Sequence, residues 1–91
     1  MTGTTLEELM DKLLHGHEAE FTYNGCEYSI ESELEEGESV IKIWKCDAEP
    51  RCITKAVVRN EKDLENLLSE KCFQNKSFLE IEDRITVEII F

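Results

Sequence analysis

The 91-residue chain reads as an α+β protein: a single small domain over residues 1–91, with a mostly antiparallel sheet of four to five strands and two main helices packed on one face. Three observations predict this. Leucines recur at helical spacing in two separate stretches, beginning at Leu6 and at Leu64. Runs of alternating apolar and polar residues fill much of the remaining sequence, and Asn24-Gly25 joins two of them. The length is close to that of one domain, typically about 100 to 150 residues, and the 41% of hydrophobic residues is enough for a small core rather than a disordered acidic tail.

Each element has a local reason. Leu6, Leu9, Met10, Leu13 and Leu14 fall on one face of a helix over about residues 5 to 15. Thr5 can cap it, Glu8 stands at capping-box spacing, and Gly16 supplies a left-handed stop. Two strands follow, Glu18 to Tyr23 and Cys26 to Leu34. They are joined by Asn24-Gly25 in a type I′ turn, whose central residues need positive φ. That turn pairs Tyr23 with Cys26, Phe21 with Tyr28 and Ala19 with Ile30 on an apolar face. The other face carries Thr22 with Glu27, Glu20 with Ser29 and Glu18 with Glu31, followed by Glu33.

Glu35 to Ser39 then reads as a loop before a third strand, Val40 to Cys46. Two placements are open for this strand. With Leu34 opposite Ile41 and Ser32 opposite Ile43 in the core, Trp44 joins Lys42 on the acidic face; the opposite parity buries Val40 and Trp44. Asp47 to Arg51 holds the only proline, Pro50, and reads as a loop, with Cys52 to Arg59 as a fourth strand antiparallel to the third. Asn60 caps a second helix, with Asp63 at its third position and Leu64, Leu67, Leu68 and Cys72 as the inner stripe. Ser77 with Glu80 fits a capping box for a short helix carrying Phe78, Leu79 and Ile81, although residues 79–82 also alternate like a strand. Ile85 to Phe91 is a last strand with Ile85, Val87, Ile89 and Phe91 on one face.

Twenty-one acids against ten bases give a net charge of −11, and the excess is uneven. Residues 1–41 hold eleven acids and one base, Lys12, for a sum of −10; residues 42–91 hold ten acids and nine bases, for −1. Direct nucleic-acid binding is not expected, because Lys and Arg must displace counterions from the phosphates. No apolar run approaches the ~18 residues of a membrane span, and no basic segment leads into a hydrophobic one as in a secretory signal. A cytoplasmic protein without membrane contact is the expectation.

Candidate chemistry is sparse. Structural zinc sites usually bring cysteines in pairs about two to four residues apart, and Cys26, Cys46, Cys52 and Cys72 contain no such pair. Cys46 and Cys52 flank one loop, which leaves a disulfide or half a metal site open, but a reducing cytoplasm favours buried, reduced thiols. His15 and His17 sit where the first helix stops, a position the helix dipole favours, with no nucleophile or third ligand at a recognisable spacing. Gly3, Gly16, Gly25 and Gly37 are isolated, so no phosphate-cradling loop is present, and the acids lack the alternation of a calcium loop. Neither catalysis nor a cofactor or metal is expected.

The acidic hairpin face remains. Glu18, Glu20, Glu27, Glu31 and Glu33, joined by Trp44 in one of its two placements, share one side of the sheet. Side chains two apart on a strand repeat every roughly 6.5 to 7 Å, comparable to phosphates along one DNA strand. Charged sheet faces often do no more than keep a sheet solvated and resist edge pairing. The functional reading is docking to a basic protein surface, where charge complementarity steers encounter.

The run Glu20-Phe21-Thr22-Tyr23-Asn24-Gly25-Cys26-Glu27-Tyr28-Ser29-Ile30, after its leucine helix, resembles the opening of small uncharacterised bacterial proteins, mostly of Gram-positive organisms or their prophages. Asp63-Leu64-Glu65-Asn66-Leu67-Leu68, then Asn75-Lys76-Ser77-Phe78-Leu79 and the C-terminal strand, is similar to a later part of them. The resemblance spans roughly half the chain and leaves out the fourth strand and its cysteines. It implies a bacterial cytoplasmic protein with a short helix after Ser77, and carries over no activity and no functional residue. The expected function is a non-catalytic protein-interaction module using the acidic hairpin face, as an antitoxin, an immunity factor or a phage-encoded DNA mimic would. The alternatives are a thiol or metal protein built on Cys46 and Cys52 with Cys26 or Cys72, and a homo-oligomer subunit pairing through an open edge between Val40 and Arg59.

Overall fold

Turn chemistry builds the sheet. In the computed structural model, which describes residues 1–90, the strands are β1 (Glu18–Tyr23), β2 (Cys26–Glu35), β3 (Glu38–Lys45), β4 (Arg51–Val57) and β5 (Val87–Ile90). They form one antiparallel sheet in the order β4-β3-β2-β1-β5. Helices α1 (Leu6–Leu14), α2 (Glu61–Leu68) and α3 (Phe78–Ile81), the last running into a 3₁₀ turn at Glu82–Arg84, pack on one face of it. The class is α+β, as the sequence predicts.

The first hairpin has the predicted register, with Phe21 opposite Tyr28 and Ala19 opposite Ile30, and Asn24 and Gly25 take φ of 48° and 77°. The second departs from expectation. Glu36 and Gly37 adopt φ of 53° and 80°, so the predicted loop is a second two-residue turn and the strands run on to the pair Glu35 and Glu38. The tighter turn shifts the register by two: Ile41 faces Ser32 and Ile43 faces Ile30, where Leu34 and Ser32 were expected. A shift of two preserves sidedness. Ile41 and Ile43 are therefore fully buried, Trp44 lies on the acidic side, and Leu34, carried past the core, is 81% exposed.

Between β3 and β4 a bulge sets Thr54 opposite Ile43 and Cys52 opposite Trp44, leaving Ile53 as the extra residue, turned to pack against the core. β3 is thus interior, and of the expected open edge between Val40 and Arg59 only β4 is an edge strand. The opposite edge is bordered by the N-terminus: Thr2 N–H donates to Ile85 O at 3.1 Å and Val87 N–H to Thr2 O at 2.9 Å. Gly3 makes this approach feasible, since at φ +92° a Cβ there would stand 2.3 Å from Val87 O.

Asn60 caps α2 by accepting from Asp63 N–H at 2.9 Å, and Leu64, Leu67 and Leu68 are buried. Cys72 is not part of that stripe; the helix ends at Leu68 and the thiol is only half-buried beyond it. At Ser77 both capping-box bonds form, from Glu80 N–H to Ser77 Oγ at 3.2 Å and from Ser77 N–H to Glu80 Oε1 at 3.1 Å. The helix therefore prevails over the alternating pattern. Ile85 is buried ahead of β5, whereas Phe91 lies outside the described residues. Phe21, Tyr28, Phe73 and Phe78 form the centre of the core, with ring centroids 4.9 to 6.3 Å apart in stacked and edge-on pairs.

Candidate functional site

Strand alternation with all helices on one side leaves the other side of the sheet uncovered. Glu18, Glu20, Glu27, Glu31, Glu33 and Trp44, the residues singled out in the sequence, all stand on this helix-free face. Two further carboxylates join them: Glu35 continues the row of β2 beyond Glu33, and Glu88 of β5 lies directly opposite Glu20. The outward position of Glu88 is readable from the alternation of Val87, Glu88 and Ile89, but only the β1–β5 pairing places it beside the hairpin.

The face is not uniformly charged. Lys42 Nζ lies 2.8 Å from Glu33 and 2.7 Å from Glu35, and its side chain is only 17% exposed. These contacts hold the Glu35 carboxyl below its usual range and push Lys42 further up. Glu33 is thereby compensated. Glu18, Glu20, Glu27, Glu31 and Glu88 make no ion pair among the described residues. Glu18 is raised above the ordinary glutamate value of 4.5, first by burial and then by the adjacent Glu31.

Trp44 is half-buried and lies across the ladder from Ser29, which is 3% exposed although no helix covers it. Cys46 also shields it, donating from Sγ to Ser29 Oγ at 3.6 Å. The indole Nε1 is out of solvent and has no acceptor among the described residues. Two shallow hollows meet at the ring: one of about 330 Å³ is shared with Glu18, Glu20, Glu31 and Pro50, the other, of about 260 Å³, with Lys42, Cys52 and Lys55. A larger hollow of about 510 Å³ lies where β1, β2 and β5 meet, edged by Glu20, Glu27, Glu88 and Arg84. An aromatic ring set among solvated carboxylates can offer its face to a cationic side chain.

The cysteines do not converge. Cys46 contacts Ser29, the exposed Cys52 donates to Thr54 O at 3.3 Å, Cys26 sits half-buried at the start of β2, and burial pushes the Cys72 thiol up to about 11. Among the described residues no three His, Cys, Asp or Glu side chains are grouped to hold a metal ion. His15 caps the exposed end of α1, with Nδ1 2.7 Å from Asp11 O. Among the described residues no helix is long and apolar enough to cross a membrane. No protein-family model matches the chain, and comparison with curated proteins and with solved structures finds no significant match.

Proposed function

We propose that the protein is a non-catalytic interaction module of a bacterial cytoplasm, docking a basic protein surface on its helix-free sheet face. The observation that carries this reading is the gathering of Glu18, Glu20, Glu27, Glu31 and Glu88 on one sheet face, with Trp44 beside Glu18, Glu20 and Glu31. A sheet face needs only scattered charge to remain solvated, whereas this one places Glu18 beside Glu31 and Glu20 beside Glu88, pairs that destabilise the sheet. Lysines or arginines of a partner would relieve that repulsion and draw the partner in. A partly exposed tryptophan beside carboxylates is the type of residue that anchors interfaces.

Differential capture tests it. Wild type and the variant carrying E20Q, E27Q, E31Q and E88Q are used as baits in the same lysate, with Trp44→Ala as a third. Basic proteins held by wild type, released by high salt and lost from both variants are expected. The same proteins retained by all three baits would sink the idea.

A further inference from the structure

We propose that the groove between α1 and α2 is a second docking surface, which takes a basic amphipathic helix of a partner protein. It lies on the opposite side of the sheet from the face described above and does not depend on it. The groove has a volume of about 680 Å³. Its floor is apolar and helical in period: Leu6, Met10 and Leu14 line it at i, i+4 and i+8, a stripe about 12 Å long, and Leu14 is 38% exposed at its end.

Its two walls are acidic. Glu7, Glu8 and Asp11 rise from α1, Glu61 and Glu65 from α2, and no Lys or Arg lines the groove among the described residues. The spacing makes this more than a solvated surface. Glu7 with Asp11 and Glu61 with Glu65 are like-charge pairs at i, i+4, each unfavourable for the helix that bears it, where an exposed helix normally alternates its signs. Glu7 and Glu61 gain from their helix N-termini; Asp11 and Glu65 stand past the first turn, where that benefit has faded.

An apolar floor between two rows of carboxylates fits one chemistry closely: an apolar stripe flanked on both sides by Lys or Arg. A helix with apolar residues at i, i+3, i+4 and i+7 carries that arrangement, and recognition of a helix in a groove follows this pattern. An extended strand is a poorer fit, since the groove lies between helices and offers no sheet edge to pair with. A metal ion is also poorly served, because the carboxylates flank the floor without converging on one point.

The test is a titration of the ¹⁵N-labelled full chain, followed by amide shifts, with a synthetic peptide of about fourteen residues, long enough to span α1 with a turn to spare. The peptide carries leucines at i, i+3, i+4 and i+7 and lysines elsewhere; a control has the same composition in an order that abolishes the stripe. Saturable shifts in Leu6–Leu14 and Glu61–Leu68, with the control about tenfold weaker, are expected. Asp11→Lys with Glu65→Lys, both exposed, should weaken the helical peptide by about tenfold or more, and Leu14→Gln provides the same readout without reversing charge. The sheet-face variant with E20Q, E27Q, E31Q and E88Q should bind the peptide as wild type does, which separates this groove from the face of the proposed function. Equal binding of both peptides, shifts centred on the outward residues of β1, β2 and β5, or no saturable shift would overturn it.

Discussion

Glu18 is the residue at which the acidic face works against the fold. Burial and the neighbouring Glu31 raise its carboxyl above 4.5, so the native state holds that proton more tightly than the unfolded chain does. The associated stability is fully present below the unfolded value and is lost as pH rises through the raised one. Glu18→Gln is therefore expected to stabilise the protein at neutral pH by ~0.5 kcal/mol, a like-charge contribution reduced by solvent screening, and to give no gain in acid. Urea titrations at the two pH values check it. Glu35 and Glu80 have the opposite sign: Lys42 lowers the first, and the Ser77 backbone N–H, followed by Lys71, lowers the second. Their stabilisation holds above 4.5 and is lost as pH falls through the lowered values.

At the scale of elements, turns and caps decided what could be read. Asn24-Gly25 announces itself because both residue types tolerate positive φ, and the whole first hairpin followed from it. Glu36-Gly37 makes a comparable turn with a glutamate at φ 53°, a conformation that residue type does not signal, so the residues predict a loop there and a register two residues away from the one that forms. Because side-chain direction repeats every two residues, a shift of two leaves Trp44 on the acidic side, one of the two placements its sequence allows. Glu36→Asn is expected to gain ~0.5 kcal/mol in equilibrium unfolding by relieving that strain. Ser77 and Asn60 were legible as caps since their side chains bond the backbone locally. Glu88 was not, because alternation gives the side of a strand and never its neighbour; the β1–β5 pairing depends on the path of the whole chain.

Across the molecule, the excess of acid in residues 1–41 divides between two surfaces. Glu7, Glu8 and Asp11 line the helix groove, the hairpin glutamates occupy the sheet face, and the cluster at the β2–β3 turn is answered by Lys42 and by Arg59, which reaches Glu38 at 3.0 Å. Stability comes from elsewhere. Phe73 touches Phe21, Tyr28 and Phe78 at the centre of the core, and Phe73→Ala should cost about 3 to 5 kcal/mol, a large part of a small domain's ~5 to 15, measured by thermal or urea unfolding. Carboxylate-to-amide changes on the exposed faces leave that core intact, so binding and folding can be tested separately.

If the helix-free face meets a basic partner rather than water alone, its carboxylates stand against lysine amines in the complex. Zero-length carbodiimide cross-linking in cells, which joins a carboxylate to a lysine amine in contact with it, followed by mass-spectrometric mapping, examines this directly. Cross-links to the lysines of a basic partner are expected at Glu20, Glu27 and Glu88, with Glu36, exposed in the β2–β3 turn, left unlinked. Cross-links at Glu36 as often as at the sheet glutamates, or none on the sheet at all, would contradict it.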